Sequence, residues 1–337
     1  MNIYDIAQKA GVSTATVSRV INGSKSVSIA TRQKVSKIMA DSGYAPNIFA
    51  RGLMVNSMKT IGVMTIDVRD QYYAQSIHSI ENEAGRSGYN VILCNTGEDL
   101  HEKKKYLKLL LQKRVDGIIL IGSVFKEKSD NRHIVEAAEK VPVMMINGYM
   151  EGKDLYSIMC DDRGAVREAV KYLVALGHKT VAYVYDVETF SGMEKLEGFK
   201  SAVSEYGLHP GNEMIVRTDR GIEGGRQAVR KLLKEKTGFT AILTSEDILA
   251  AGALKALSDA GIRTPDEVSV IGYNNSVISQ CTMPELTSVD NKVDEVSNNA
   301  VSLLIDALHG KTIPSRTVVA SELIERMSVK SIKKNWK

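Results

Sequence analysis

The sequence predicts an all-α head followed by an α/β body of two doubly wound parallel-sheet lobes. Three observations carry this. Residues 4–22 read as helix, tight turn, helix. From Thr60 onward short apolar runs recur at 61–64, 91–93, 117–121 and 143–146, with helical patterns such as 73–87 and 102–113 between them. The same alternation restarts after Asp161-Asp162, with helix 164–176, strand 180–185, helix 193–206, strand 239–244, helix 247–261 and strand 268–272. Continuous apolar strands alternating with helices are strands buried on both faces of a parallel sheet. Two such halves leave a crevice between them.

In the head, Ile6, Ala7 and Ala10 form one apolar stripe at helical spacing. Gly11 suits the left-handed conformation that ends the first helix. Ser13 offers a hydroxyl to cap the second, whose buried stripe is Val17, Val20 and Ile21. Thr14, Ala15, Ser18, Arg19 and Asn22 lie off that stripe. A helix whose first turn is small and polar, with an arginine one turn later, suits the major groove of DNA. Ser28 can cap a third helix, with Val35, Ile38 and Met39 facing inward and Gly43 at its end. Pro46 breaks the pattern. Residues 47–54, NIFARGLM, form one more short helical candidate, too short to stand alone in water and unusually apolar for a linker. Residues 55–59 are a polar connector.

Charge divides along the same line. The chain carries a net +4, yet residues 1–59 hold eight Lys or Arg against two acids, so the remainder is slightly negative. A basic head on a near-neutral body fits a nucleic-acid module joined to something else. Cys94, Cys160 and Cys281 are scattered without CxxC spacing, which implies neither a disulfide framework nor a zinc site. No charged leader precedes an apolar run, and no stretch is long and apolar enough to span a bilayer. A cytoplasmic protein with no membrane contact is expected.

Seven segments resemble the lactose-repressor (LacI) family of bacterial transcription factors. They are IYDIAQKAGVSTATVSRVING at 3–23, YAPNIFARGL at 44–53, QKRVDGIILIG at 112–122, LGHKTVAYV at 176–184, IGYNN at 271–275, PELTSV at 284–289 and LIERMSV at 323–329. Their order and spacing carry the match over essentially the whole chain. The resemblance implies a homodimer that binds a near-palindromic operator in double-stranded DNA. Thr14, Ala15 and Arg19 match the family's base readers, and Ser13, Thr16 and Asn22 positions that steady the helix on phosphate. Tyr4 and Tyr44 match phosphate or packing positions. Asn47, Ala50 and Leu53 fall on the hinge helix, with Leu53 the leucine wedged into the central base step of the minor groove.

The resemblance also implies a body of periplasmic-binding-protein type that holds a small-molecule effector, a carbohydrate. Effector positions fall on Tyr72, Tyr73, Asn147, Asp161, Lys195, Arg220, Glu246 and Asn274. Asp161 reads equally well as the cap of the following helix. Lys195 stands where the family usually has Arg, and Asn274 where it often has Asp, so ligand identity does not transfer. Lys195 with Arg220 biases the cleft toward an anionic or uronic-type ligand, offset by Glu246. The implied domains are 1–46 (helix-turn-helix), 47–59 (hinge helix and linker), 60–157 with 290–322 (first lobe) and 158–289 with 323–337 (second lobe). The short tail lacks leucine heptads, so a dimer is expected and not a tetramer.

Other classes fit less well. No G-x-G-x-x-G follows a strand, Ser191 sits in TFSGM, and the six histidines show no metal spacing, so neither an enzyme nor a cofactor or metal is expected. The alternative that stays open is a LacI-type regulator switched by a protein partner, with the cleft incidental.

Overall fold

The computed structural model describes residues 2–21, 24, 26–44, 57–208 and 214–333. The expectations placed on Asn22, Asn47, Ala50, Leu53 and the helix at 47–54 lie outside these residues. The chain divides into two compact units, Met1–Lys59 and Thr60–Lys337.

The first unit contains three helices, α1 (Ile3–Ala10), α2 (Thr14–Ile21) and α3 (Ile29–Asp41). Asn2 caps α1 by accepting from the amides of Tyr4 and Asp5, while the Asp5 carboxylate accepts from the Asn2 amide. This reciprocal cap satisfies helix-end donors that would otherwise be orphaned. Gly11 is left-handed, with φ of 65°, and closes α1. The Ser13 hydroxyl accepts from the Thr16 amide at 3.1 Å and opens α2, and Ser28 does the same for α3 through Thr31. Ile6, Ala7, Ala10, Val17, Val20 and Val35 are buried together, with Ile21, Ile38 and Met39 at the margin. The three helices thus share one small core, as the apolar stripes require.

The second unit holds two six-stranded sheets. Its strands are β1 (Thr60–Thr65), β2 (Asn90–Asn95), β3 (Gly117–Ile121), β4 (Val143–Ile146), β5 (Leu155–Cys160), β6 (Val181–Tyr185), β7 (Ile215–Arg217), β8 (Ala241–Thr244), β9 (Ser269–Tyr273), β10 (Thr287–Asp290), β11 (Arg316–Val319) and β12 (Glu322–Ile324). The first sheet runs β11-β5-β4-β3-β1-β2 and the second β12-β10-β9-β8-β6-β7. Every described pairing is parallel except that of β12 with β10.

Helices cover both faces of each sheet. On the first sheet, α4 (Gln71–Arg86) and α12 (Val293–Leu308) cover one face, through Ile80 and Ala84 and through Val296, Ala300 and Leu304. The other face meets α5 (Leu100–Gln112) and α6 (Arg132–Ala138) through Leu107, Leu110 and Ile134. On the second sheet, α7 (Asp162–Ala175) and α8 (Phe190–Glu205) lie opposite α9 (Gly221–Lys234) and α10 (Asp247–Asp259). A short helix, α11 (Val277–Cys281), follows β9.

The chain passes between the lobes three times, and the expected crossings near 157, 290 and 322 fall inside strands. β5 continues to Cys160, whose backbone is in register with Val319, so the first crossing follows Cys160. Asp290 and Glu322 pair with each other in the second sheet, so the other two follow Asp290 and Val319. Ladder hydrogen bonding carries these strands past the points where their apolar character ends. Lys292, with φ of 55°, donates to Asp290 at 3.1 Å and to Glu322 at 2.6 Å and ties two of the crossings together.

Helices α9 and α10 approach through glycine. A Cβ at Gly252 would lie 2.0 Å from the Ile222 carbonyl oxygen, and one at Gly225 2.1 Å from that of Leu249. Their first turns follow Arg220 and Glu246, so the seam fixes where these two residues stand. Gly252→Ala should destabilise the body by about 1–3 kcal/mol. In thermal unfolding this lowers Tm by roughly 2–4 °C per kcal/mol; an unchanged Tm would mean that the helices separate without cost.

Candidate functional site

On α2, Val17 and Val20 point into the core of the head, while Ala15 and Arg19 are exposed one turn apart. Thr14 and Thr16 are half-buried, and the Thr16 hydroxyl shares a 3.0 Å hydrogen bond with that of Ser13. Thr14, Ala15 and Arg19 therefore come together on one outward face of a short helix. Tyr4 is 71% exposed, as a ring that packs internally would not be.

In the body, polar residues collect where strands end. Asn147 follows β4, Asp162 follows β5, Asp186 follows β6, Ser245 and Glu246 follow β8, Asn274 follows β9 and Asn291 follows β10. All seven line one crevice between the lobes, with Tyr72 and Tyr73 from the first turn of α4, Lys195 from α8 and Arg220 before α9. It encloses about 80 Å³ and opens into a neighbouring chamber of about 280 Å³ that shares Tyr72, Glu246, Asn274 and Asn291. A crevice outside the carboxyl ends of parallel strands is where open α/β folds bind ligands.

Seven of the eight sequence-predicted effector residues meet there. The Tyr72 and Tyr73 rings stand edge to face, 5.4 Å between centroids. The Tyr72 hydroxyl accepts from Asn147 Nδ2 at 2.8 Å, and Asn147 Oδ1 accepts from the Cys160 amide at 3.0 Å. Burial raises both phenols well above their usual range, so both keep their protons. Lys195 is buried. Its Nζ donates to the Ser245 carbonyl at 3.0 Å and sits 3.8 Å from the centre of the Tyr273 ring, which offsets the desolvation of its charge. Asn274, with φ of 99°, accepts from Asn291 Nδ2 at 2.9 Å.

Asp161 is the exception. Its carboxylate accepts from the Gly164 amide at 2.9 Å and caps α7, and it does not line the crevice. The capping geometry turns the next residue inward instead. Asp162 is buried, accepting from the Tyr273 hydroxyl at 2.6 Å and from the Ser191 hydroxyl at 2.5 Å.

The expected bias toward an anionic ligand is also corrected. Arg220 is committed to Glu98 of the first lobe at 2.6 Å. With Lys128–Glu188 at 3.7 Å and Lys126 over the Phe190 ring, it laces the mouth of the crevice from lobe to lobe. Asp70, Asp162, Asp186 and Glu246 outnumber the two cations of the lining. Sequence reasoning missed Asp162, Asp186, Ser245 and Asn291. For Asp186 the usable signal was position, a carboxylate directly after the strand read at 180–185.

Glu246 is pushed up to about 8, by burial first and then by the Asp186 carboxylate, against the pull of Lys195. Asp247, behind it, is raised to about 6 by burial, although Ser276 and Ser288 donate to it. Among the described residues no group of three or more His, Cys, Asp or Glu is placed to hold a metal ion. Nor is any helix long and apolar enough to cross a membrane.

Because Glu246 holds its proton more tightly folded than unfolded, the folded chain loses stability as pH rises from the ordinary carboxylate range through about 8. Glu246→Gln cannot ionise. Relative to the parent it should melt roughly 2–4 °C higher at about pH 9 and nearly unchanged at about pH 5. Equal Tm differences at both pH values would place the proton elsewhere.

Comparison with known proteins agrees with this architecture. Residues 2–47 match the family model described as bacterial regulatory proteins, lacI family, and residues 170–329 match that of a periplasmic binding protein-like domain. An HTH-type transcriptional regulator of Lachnoclostridium phytofermentans is 44% identical over 328 residues, spanning 97% of this chain and 98% of that protein. Catabolite control protein A of Priestia megaterium is 35% identical, over 98% of this chain and 99% of its own. Among solved structures, the Lac repressor dimer bound to operator and the anti-inducer ONPF superposes with a TM-score of 0.87 at 26% identity, over 98% of this chain and 99% of that one. A complex of the transcriptional regulator CelR with cellobiose gives 0.73 at 26% identity, over 97% and 99%. With a head matched by the family model and a regulator 44% identical along nearly its full length, the chain belongs to the lacI family of bacterial transcriptional regulators.

Proposed function

We propose that this regulator is a repressor that binds a near-palindromic operator as a homodimer and is released or retained by a small polyhydroxylated ligand, a sugar or sugar derivative, held between the lobes. The observation that carries the reading is the convergence of Tyr72, Tyr73, Asn147, Lys195, Glu246 and Asn274 on one crevice. Amide, ammonium and carboxylate groups supply donors and acceptors for ring hydroxyls, and the two tyrosines offer an aromatic wall for the apolar face of a sugar. Relatives described with cellobiose and with ribose support a carbohydrate.

On the DNA side, the exposed pair Ala15 and Arg19 suits base reading: guanidinium to guanine, methyl to the thymine methyl. Ser13 and Thr16, at the start of α2, suit phosphate. Asn22 and the hinge positions Asn47, Ala50 and Leu53 complete the proposed DNA surface. In the body, ligand contacts made on both lobes favour the closed arrangement. A ligand acts only through its differential affinity for two states, so DNA must change ligand affinity by the factor by which ligand changes DNA affinity.

Two measurements test this. Arg19→Ala should weaken binding to an operator selected from a random-sequence pool by roughly 1–3 kcal/mol per half-site while affecting random DNA far less. Equal weakening on both DNAs would reassign Arg19 to phosphate. Separately, Lys195→Met and Asn274→Ala should lose the response of operator binding to the best hit of a carbohydrate screen and keep operator affinity without ligand. A response like the parent's in both variants would remove the crevice as the switch and leave a protein partner as the regulator.

A further inference from the structure

Four carboxylates line the crevice, and two of them are already satisfied by the protein. Asp70 accepts from the amide of Tyr72 at 2.9 Å, and Asp162 takes the hydroxyls of Tyr273 and Ser191. Asp186 and Glu246 are different. Asp186 is 7% exposed, and its Oδ1 accepts from the Ser245 hydroxyl at 2.9 Å. Its Oδ2 is buried and has no hydrogen-bond partner. The Glu246 carboxylate accepts no hydrogen bond among the described residues. The two residues follow adjacent parallel strands, β6 and β8, and Ser245 links them.

The cations nearby do not balance this pair once both carboxylates are ionised. Arg220 pairs first with Glu98 and lends Asp186 and Glu246 a weaker attraction. Lys195 offsets the pair only while Glu246 keeps its proton, and its ammonium is directed at the Ser245 carbonyl and the Tyr273 ring. A buried carboxylate oxygen without a donor costs free energy that a ligand can recover. A neutral hydroxyl supplies one hydrogen bond and cannot compensate a second ionised carboxylate. An ammonium group supplies three donors and the missing charge together.

We infer that the crevice is built for a polyhydroxylated ligand bearing a protonated amine, an amino sugar, with the ammonium held between Asp186 Oδ2 and the Glu246 carboxylate. The inference rests on the small-ligand reading above and specifies its chemical class. The proton that burial and Asp186 hold on Glu246 is given up when the ligand cation arrives, so the site can rest without ligand at low cost and charge on binding.

The test is calorimetric titration of the full chain with glucosamine, galactosamine and mannosamine, each beside its parent hexose and its N-acetyl derivative. One amino sugar should bind at least tenfold more tightly than both of its neutral counterparts. Asp186→Asn and Glu246→Gln keep the shape and a hydrogen-bond acceptor while removing charge. In each, folded by circular dichroism, that preference should shrink to threefold or less. A parent hexose or N-acetyl sugar that binds as tightly as its amine would overturn the amine while leaving a sugar in the crevice. A preference undiminished in both variants would move the ammonium away from this pair. Silence from all nine compounds would overturn the carbohydrate reading and the amine with it.

Discussion

The polar strand-end groups of the crevice obey one constraint. Central parallel strands covered by helices on both faces have no wet side, so a charged group carried by one of them surfaces where the strand stops. The interior residues of β1, β3, β4, β8 and β9 are buried. Within two residues of the ends of β4, β5, β6, β8, β9 and β10 stand Asn147, Asp162, Asp186, Ser245, Glu246, Asn274 and Asn291. Two sheets whose strand ends face each other across a crevice gather these residues into one site, although they come from loops as much as 144 residues apart in the chain. The chemistry of the crevice is therefore free to change one loop at a time, while the strands behind it hold their register. Asn274, directly after β9, stands in such a loop.

The sequence made the architecture readable and left its electrostatics hidden. Apolar runs such as 117–121 announced their strands because every residue in them is buried. The head was legible for a related reason: its caps, Gly11, Ser13 and Ser28, act within three residues of their own position. What stayed hidden depends on long-range pairing. β7, with three residues, and β12, paired through Ser288, Val289 and Asp290, are held by neighbours and carry little pattern of their own. Likewise, no local signal shows that Arg220 meets Glu98, or that of two adjacent aspartates the first caps a helix and the second turns inward. Charge counted along the sequence pointed to an anionic ligand; charge counted after pairing is negative.

Two devices offset the crowding of carboxylates in the crevice. Hydroxyl donors from Tyr273, Ser191 and Ser245 neutralise by hydrogen bonding what cations do not. Raised proton affinity at Glu246 removes a charge outright near neutral pH. Burial and repulsion at the same carboxylates thus set both how the body tolerates them and what the crevice selects.

Three crossings join the lobes, and Lys292 links two of them. The ammonium bridges Asp290, at the end of one crossing, and Glu322, at the end of another. Glu322 is largely exposed, so counterions reach this brace and weaken it as ionic strength rises. The tie between these two crossings is then a function of the salt around it, separate from any ligand. Salt also weakens the attraction of a basic head for DNA. A change in ionic strength therefore acts on this regulator twice, once on the attraction of its basic head for DNA and once at the ion pairs that link two of the crossings.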